Sequence, residues 1–405
     1  MHLRNIYWFL AALLIAENSL AHTNHLPHPW RAEAVVEGRN ENYDEERFVD
    51  LYSFRHSQRR PRVTETGLRG TGGSVGSSRL YFDSRFRQDF GFNDNRQAFM
   101  LDIQRSEDFD GTYQRQLVGF RHQMTDRLQV WLQGDVFADK SEIDVYASAR
   151  YALPHGGWVH GSWIQPDAWF NDKSDTDDRI LDEPHSYFIQ WHQPWRDNRH
   201  RTTISATLNP ESEFDSRQQA LKAVSRNFRG AITQELFLGA WHYQVEYAGE
   251  YTARTYRLDE ADASTSFRRQ HHQLTVEAMW TEHKNQPSIG LSYIYLNEKG
   301  YFGRAMDTHG DVQRREPITF ASVATRLGPR STLRPAVYLG HPDVSQRFTS
   351  EDERDLNSNS LRAKLTLPLE ITLSRQEPAV LTIAPTFKLH EVAFGGGNVQ
   401  LHWPL

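Results

Sequence analysis

The sequence predicts an all-β protein, a closed antiparallel transmembrane β-barrel of eighteen strands, with sixteen as the main rival count. Three observations lead there. From about residue 47 to the C-terminus, apolar and polar residues alternate with period two in run after run, which is the pattern of strands with two unlike faces. Many runs extend well past the ~5–6 residues of a soluble strand and cover the ~9–11 that cross a bilayer at a tilt. The connections alternate between short turns and long loops, as a barrel with short turns on one side of a membrane and long external loops on the other requires.

The elements follow in chain order. Residues 1–21 have the three parts of a secretory signal: Arg4 supplies charge, Ile6 to Ile15 is apolar, and Ser19, Leu20 and Ala21 form a small-residue cleavage site. The apolar part is about half of the ~20 residues an anchor helix needs. Residues 22–46 read as a flexible periplasmic tail, and 47–405 as the barrel. A weak first strand is expected at 47–56, where Phe48, Asp50, Tyr52 and Phe54 alternate with Val49, Leu51 and Ser53. Seventeen stronger runs follow from Arg79, and a closed barrel with both termini on one side needs an even number.

Among these runs, Leu128, Val130 and Leu132 oppose Gln129, Gln133 and Asp135. Ile143, Val145, Ala147 and Ala149 oppose Asp144, Ser148 and Arg150. Tyr243, Val245, Tyr247 and Tyr251 oppose Gln244, Glu246, Glu250 and Arg254, and Leu274, Val276 and Trp280 oppose Thr275 and Glu277. The clearest run spans 361–373, with leucines on one face and Arg362, Lys364 and Glu370 on the other. Tyr187, Trp191, Trp195, Tyr293 and Tyr295 tip apolar faces, as interfacial girdles do. Short turns are expected near 92–95, 125–126, 154–157, 196–200, 238–240, 283–286, 328–331 and 374–378.

Composition narrows the function classes. The 405 residues contain no cysteine, which excludes disulfide scaffolds, Cys-zinc sites and thiol catalysis. A formal charge of −6 lacks the basic excess of a nucleic-acid binder, so no nucleic-acid partner is expected. Mean hydropathy is only −0.69, and no apolar run reaches the about 18 residues of a membrane helix. A barrel resolves that polarity, because only alternate strand residues need face lipid.

With its signal sequence, alternating runs and final segment Gly395-Gly396-Gly397-Asn398-Val399-Gln400-Leu401-His402-Trp403-Pro404-Leu405, the chain resembles Gram-negative outer-membrane β-barrels as a class. The resemblance implies an outer-membrane location, with lipid, lipopolysaccharide and the barrel-assembly machinery as partners. In that class the last strand usually ends on an aromatic residue; here the terminal residue is Leu405 and the nearest aromatic is Trp403.

Motifs that could carry chemistry have weak contexts. Gly72-Gly73-Ser74-Val75-Gly76 fits the nucleophile-elbow spacing, but residues 67–78 are Gly/Ser-rich with no helix to follow, so a flexible loop is expected. His22, His25 and His28 have chelating spacing, yet Pro27 and Pro29 favour a solvated tail. Acidic clusters around 172–183, 259–262 and 351–355 read as solvated loops. No catalytic residue, metal or cofactor is expected.

The informative set is the polar face of the strands. If the apolar face meets lipid, Arg121, Asp135, Arg150, Glu246, Glu250, Arg254, Glu277, Arg362, Lys364 and Glu370 point inward, and charges of mixed sign in a wet lumen select solutes without a strong ion preference. The leading expectation is a channel or transporter for small polar solutes or an exported polysaccharide. The alternatives are an outer-membrane enzyme acting on lipid or lipopolysaccharide, and a barrel plugged by its own interior pairs with a structural or adhesive role.

Overall fold

A computed structural model describes residues 67–404, apart from 76–78, 109–110, 136–142, 170–177, 181–184, 196–198, 217–220, 259–262, 283–284, 301–309, 349–355, 360, 374–378 and 391. The signal, the tail, the expected strand at 47–56, the His22/His25/His28 run, Leu405 and most of the three acidic clusters lie outside the described residues.

The described chain forms one antiparallel sheet. In order, the strands are β1 (Gly67–Val75), β2 (Arg79–Phe92), β3 (Gln97–Asp108), β4 (Gly111–Gln123), β5 (Leu128–Asp135) and β6 (Ile143–Ala152). They continue with β7 (Trp158–Trp169), β8 (Asp178–Ile180 and Ser186–Trp195), β9 (His200–Ser216), β10 (Leu221–Leu238), β11 (Trp241–Leu258) and β12 (Ala263–Trp280). The last six are β13 (Asn285–Lys299), β14 (Gly310–Gly328), β15 (Ser331–Leu333, Ala336–Gly340 and Asp343–Phe348), β16 (Leu356–Asn359, Arg362–Thr366 and Leu369–Thr372), β17 (Val380–Lys388) and β18 (Ala393–Pro404). Each strand pairs with its sequence neighbours, and β1 also pairs with β18 from Gly67↔Pro404 to Val75↔Gly396. The sheet is therefore a closed barrel of eighteen strands.

The count is as expected, but the first strand is not. β1 occupies Gly67–Val75, within the segment read as a flexible loop, and hydrogen-bonds to β2 on one side and β18 on the other. The described strands thus close the sheet on themselves, while 47–56 lies outside the described residues. Glycine lowers strand propensity when a strand stands alone, whereas here both neighbours supply ladder partners that override the local preference. Ser74 of the elbow-like motif lies within this strand, without the sharp strand-to-helix turn that chemistry needs.

The expected short turns at 92–95, 125–126, 154–157, 238–240 and 328–331 fall between strands as read from the sequence, and 374–378 lies outside the described residues. Between β2 and β3, Asn93, Asp94 and Asn95 have φ of 53°, 54° and 62°, the left-handed region that Asn and Asp tolerate best after glycine. Gly239, at φ 56°, makes the two-residue turn between β10 and β11.

Outward side chains form a continuous apolar surface. Directly paired residues share a face, so Phe90, Phe99, Phe120, Leu132, Ala147, Trp163, Tyr187, Leu208, Phe228 and Tyr251 compose one row across ten strands. Most of these are exposed in the isolated chain, as a lipid-facing belt must be. At the short-turn end, Trp241 stacks on Trp280 at 5.8 Å and on Tyr243 at 6.2 Å, and Trp191 meets Trp195 edge-on at 6.1 Å. Ring stacks at this level suit the membrane interface, where one edge is wet and the other is in hydrocarbon.

Deleting residues 47–56 is expected to leave a barrel that still shows heat-modifiable mobility on gels. Deleting 67–75 removes the closing strand, and the heat-modifiable form is lost.

Candidate functional site

The inner wall carries the side chains left over once the outer face has met lipid. Its rows run across the strands like the outer ones. One row contains Arg121 with Ala98 and Trp131 as cross-strand partners, and a second contains Arg150 with Gln129 and His160. Arg121 Nη1 lies 2.9 Å from Asp89 Oδ2, and the Arg87 guanidinium approaches the same carboxylate at 3.5 Å. Asp102 accepts from Arg85, with one contact at 2.8 Å from Nε. The Arg150 guanidinium sits 4.6 Å over the Trp158 ring.

From β8 to β11 the wall is a hydrogen-bonded ladder. Ser186 donates to Asn209, Asn209 Nδ2 donates to Asn227 Oδ1 at 3.3 Å, and Asn227 Nδ2 donates to Thr252 Oγ1 at 2.6 Å. Beside it Arg229 Nη2 donates to Glu250 Oε1 at 3.3 Å. Here the side chains shorten: Ser205, Ala231 and Ala248 pair across three strands. The wall steps back into a depression of about 200 Å³ edged by Thr207, Arg229, Glu250 and His271. Glu246 lies in the adjoining row between Thr233 and Thr275.

The wall changes character from β13 to β16. Glu277, Gly290, Phe320, Tyr338 and Lys364 form one row, and Thr275, Ser292, Ile318, Gly340 and Arg362 the next. Ile294, Ile318, Phe320, Ala336 and Tyr338 pack as a single apolar cluster, with the Phe320 and Tyr338 rings stacked at 5.6 Å. Phe320 lies over Gly290, whose missing side chain makes the room. Several charged groups here are buried: Arg314 and Glu316, bonded at 2.9 Å, are 1% and 0% exposed, and half-buried Arg269 donates to a fully buried Glu298 at 2.7 Å.

The structure thus places Arg121, Arg150, Glu246, Glu250, Glu277, Arg362, Lys364 and Glu370 on the inner face, without collecting them into one ring. For Asp135 and Arg254 only the register is described, opposite Leu117 and Ser225 respectively. Glu277, Arg362 and Lys364 are buried at 4%, 6% and 1% exposure, so on this side the expected wet rim of charge is a packed layer. The apolar inner cluster was not expected. Its signal was present in Ser288–Leu296 and Ile318–Ala324, where apolar residues occupy both faces, but strict alternation reads only one of them.

A serine–histidine contact also appears on the inner wall. Ser162 Oγ lies 3.0 Å from His160 Nε2 and 2.8 Å from Ser148 Oγ. Trp131 and Phe188 flank the imidazole at 5.0 and 5.5 Å, leaving His160 3% exposed.

No family model matches the sequence, and no curated protein does. Among solved structures, OccK2 (OpdF) of Pseudomonas aeruginosa is similar at 11% identity and a TM-score of 0.43, over 84% of this chain and 97% of that one. A BenF-like porin from Pseudomonas fluorescens Pf-5 is similar at 9% identity and 0.43, over 84% and 98%. CdiB from Acinetobacter baumannii gives 9% identity and 0.41 over 85% of this chain, which spans only 60% of CdiB. At these values the similarity describes shape and decides nothing further; strand count and closure rest on the pairing itself. The fold is a closed antiparallel β-barrel of eighteen strands.

Gly290→Ala is expected to destabilise the barrel by about 1–3 kcal/mol, since a Cβ there collides with the Phe320 ring and the Val276 carbonyl oxygen. Thermal unfolding of the detergent-folded protein measures it.

Proposed function

We propose that the protein is an outer-membrane channel passing small polar solutes, or an exported polysaccharide, through its lumen without catalysis. The observation that carries this reading is the wall from β8 to β12, where small residues recede between Arg229, Glu250 and His271 and a ladder of hydrogen-bonded polar side chains runs beside them. Barrels of 16–18 strands enclose more space than side chains alone fill, and a lining of donors, acceptors and paired charges of both signs replaces part of a sugar's or small acid's hydration. Export through residues 1–21 and insertion by the barrel-assembly machinery belong to the same reading.

A second reading, the plugged barrel, draws on the sequestered side from β13 to β16. Burial of Arg314, Glu316, Ile294 and Ile318 there favours a passage displaced toward β8–β12, or one closed altogether. The enzymatic reading draws on Ser162 and His160, but the rings of Trp131 and Phe188 cover the imidazole, which favours a packing role.

Planar-bilayer recordings with uncharged sugars of graded size are expected to show stable steps with a size cut-off. Ala248→Trp fills the depression and lowers unitary conductance by roughly half. Silence from a demonstrably folded barrel favours the plugged reading, and lipid hydrolysis by folded protein, lost in His160→Ala, would favour the enzymatic one.

A further inference from the structure

Two features go unexplained by the closed sheet alone. One is the apolar inner cluster of Ile294, Ile318, Phe320, Ala336 and Tyr338, no member of which is more than 5% exposed. A side chain that lines a wet lumen keeps one side open to water, and eighteen strands enclose more room than their own side chains fill. Every described strand is part of the wall, so among the described strands none lies over the cluster. The other feature is the segment before β1, whose residues 47–56 alternate like a strand although β1 and β18 already close the sheet.

Charge beside the cluster is one-sided. On the inner face of β14 to β17 the described side chains include Arg326, Arg362, Lys364 and Lys388 beside the Arg314–Glu316 pair, with Glu370 as the other acid. Lys364 pairs directly with Tyr338 on one side and Lys388 on the other. Glu277, in the same row, stands four strands away. Residues 43–54 mirror this surface in sequence: Asp44, Glu45, Glu46 and Asp50 outnumber the single Arg47, and Tyr43, Phe48, Tyr52 and Phe54 are spaced among them.

The start of β1 sets the approach. Gly67 is opposite Arg87, six residues up β2 from Asn93 of the short turn. At ~3.3 Å per residue and a tilt near 40°, that is roughly 15 Å above the turn. Arg55, Arg59, Arg60 and Arg62 precede it, and hydrocarbon excludes such a run of charge, which leaves the lumen as the route to β1. Thirteen residues separate Phe54 from Gly67 and span up to about 43 Å. Through the seam, β14 is five strands from β1, roughly 24 Å along the wall, so the segment reaches the cluster with slack.

We infer that residues 43–54 dock inside the barrel on the packed wall of β14 to β16, with Phe48, Tyr52 and Phe54 against Phe320 and Tyr338, and Asp44, Glu45 and Glu46 toward Arg362, Lys364 and Lys388. Burial of rings and opposite charge both favour this seat. The seat does not use the depression beside Arg229 and Glu250, so the inference is independent of what the lumen passes.

Because the chain has no cysteine, introduced pairs report on this contact alone. The test uses full-length, detergent-folded protein and a short bis-maleimide. Thr366→Cys lies opposite Ala336 of the cluster, whereas Val337→Cys is its exposed neighbour on the lipid face. Ser53→Cys is expected to join Thr366→Cys at least about tenfold more than Val337→Cys, as a tethered segment seated on the inner face would. Ser322→Cys, also opposite Ala336, replaces Thr366→Cys if that variant lacks heat-modifiable mobility. Adding D44K/E45K/E46K is expected to lower the yield about threefold or more. Equal joining to both faces overturns the inference, and so does an unchanged yield in the charge-reversed variant. A product with the mass of two chains overturns it by making a second copy the occupant. Joining of Thr366→Cys to Met306→Cys or Asp352→Cys, with none to Ser53→Cys, gives the cover to an external loop and overturns it as well.

Discussion

Everything in this barrel depends on the pairing of its first strand with its last. Hydrocarbon offers no partner to a peptide N–H or C=O, so a sheet in a membrane has to end on itself. β1 meets β18 over nine consecutive residue pairs, and with that ladder no edge is left. Once the backbone is satisfied internally, the side chains are free to specialise. One set faces lipid and the other faces the interior, and the period of two keeps them apart. A slip of one residue anywhere would exchange the two sets, so register and membrane compatibility are one constraint.

The interior divides into two regions with different physics. From β8 to β12, short side chains and a hydrogen-bonded ladder leave room along the wall. From β13 to β16, aromatic and aliphatic groups pack around paired charges. Buried ion pairs contribute little net stability because desolvation offsets their attraction; their effect is to fix geometry. Arg314 with Glu316 and Arg269 with Glu298 hold this side rigid, while Arg229 with Glu250 borders open space.

Much of this was legible in the sequence. Alternation in 243–256, 274–280 and 361–373 identified both faces, and the Asn-rich turn at 93–95 and the Gly239 turn marked strand ends. β1 was not legible, because glycine and serine in Gly67–Val75 carry no alternating contrast and the strand exists only through its neighbours. Nor was the apolar inner cluster, because a face packed against other side chains obeys the same chemistry as a face packed against lipid. Pairing between Phe320 and Gly290 depends on a register that sequence periodicity does not specify. The candidate inner residues were identifiable one by one from their polar face, but their sorting into an open and a sequestered side was not.

The seam has a kinetic side as well. Gly70, Gly72 and Gly73 of β1 run against Leu401, Val399 and Asn398, and Val75 and Ser74 against Gly396 and Gly397, so few side chains meet across it and backbone hydrogen bonds do most of the joining. These partners come from opposite ends of the described chain, which makes the seam the contact of greatest sequence separation among the described residues. Loop-closure entropy penalises such contacts most, and contact order sets folding speed. Hairpins from β2 to β17 can form locally, each guided by its own turn. The last event is then the meeting of two glycine-rich strands with little side-chain adhesion, and the rate at which the barrel becomes a barrel is the rate of that single encounter.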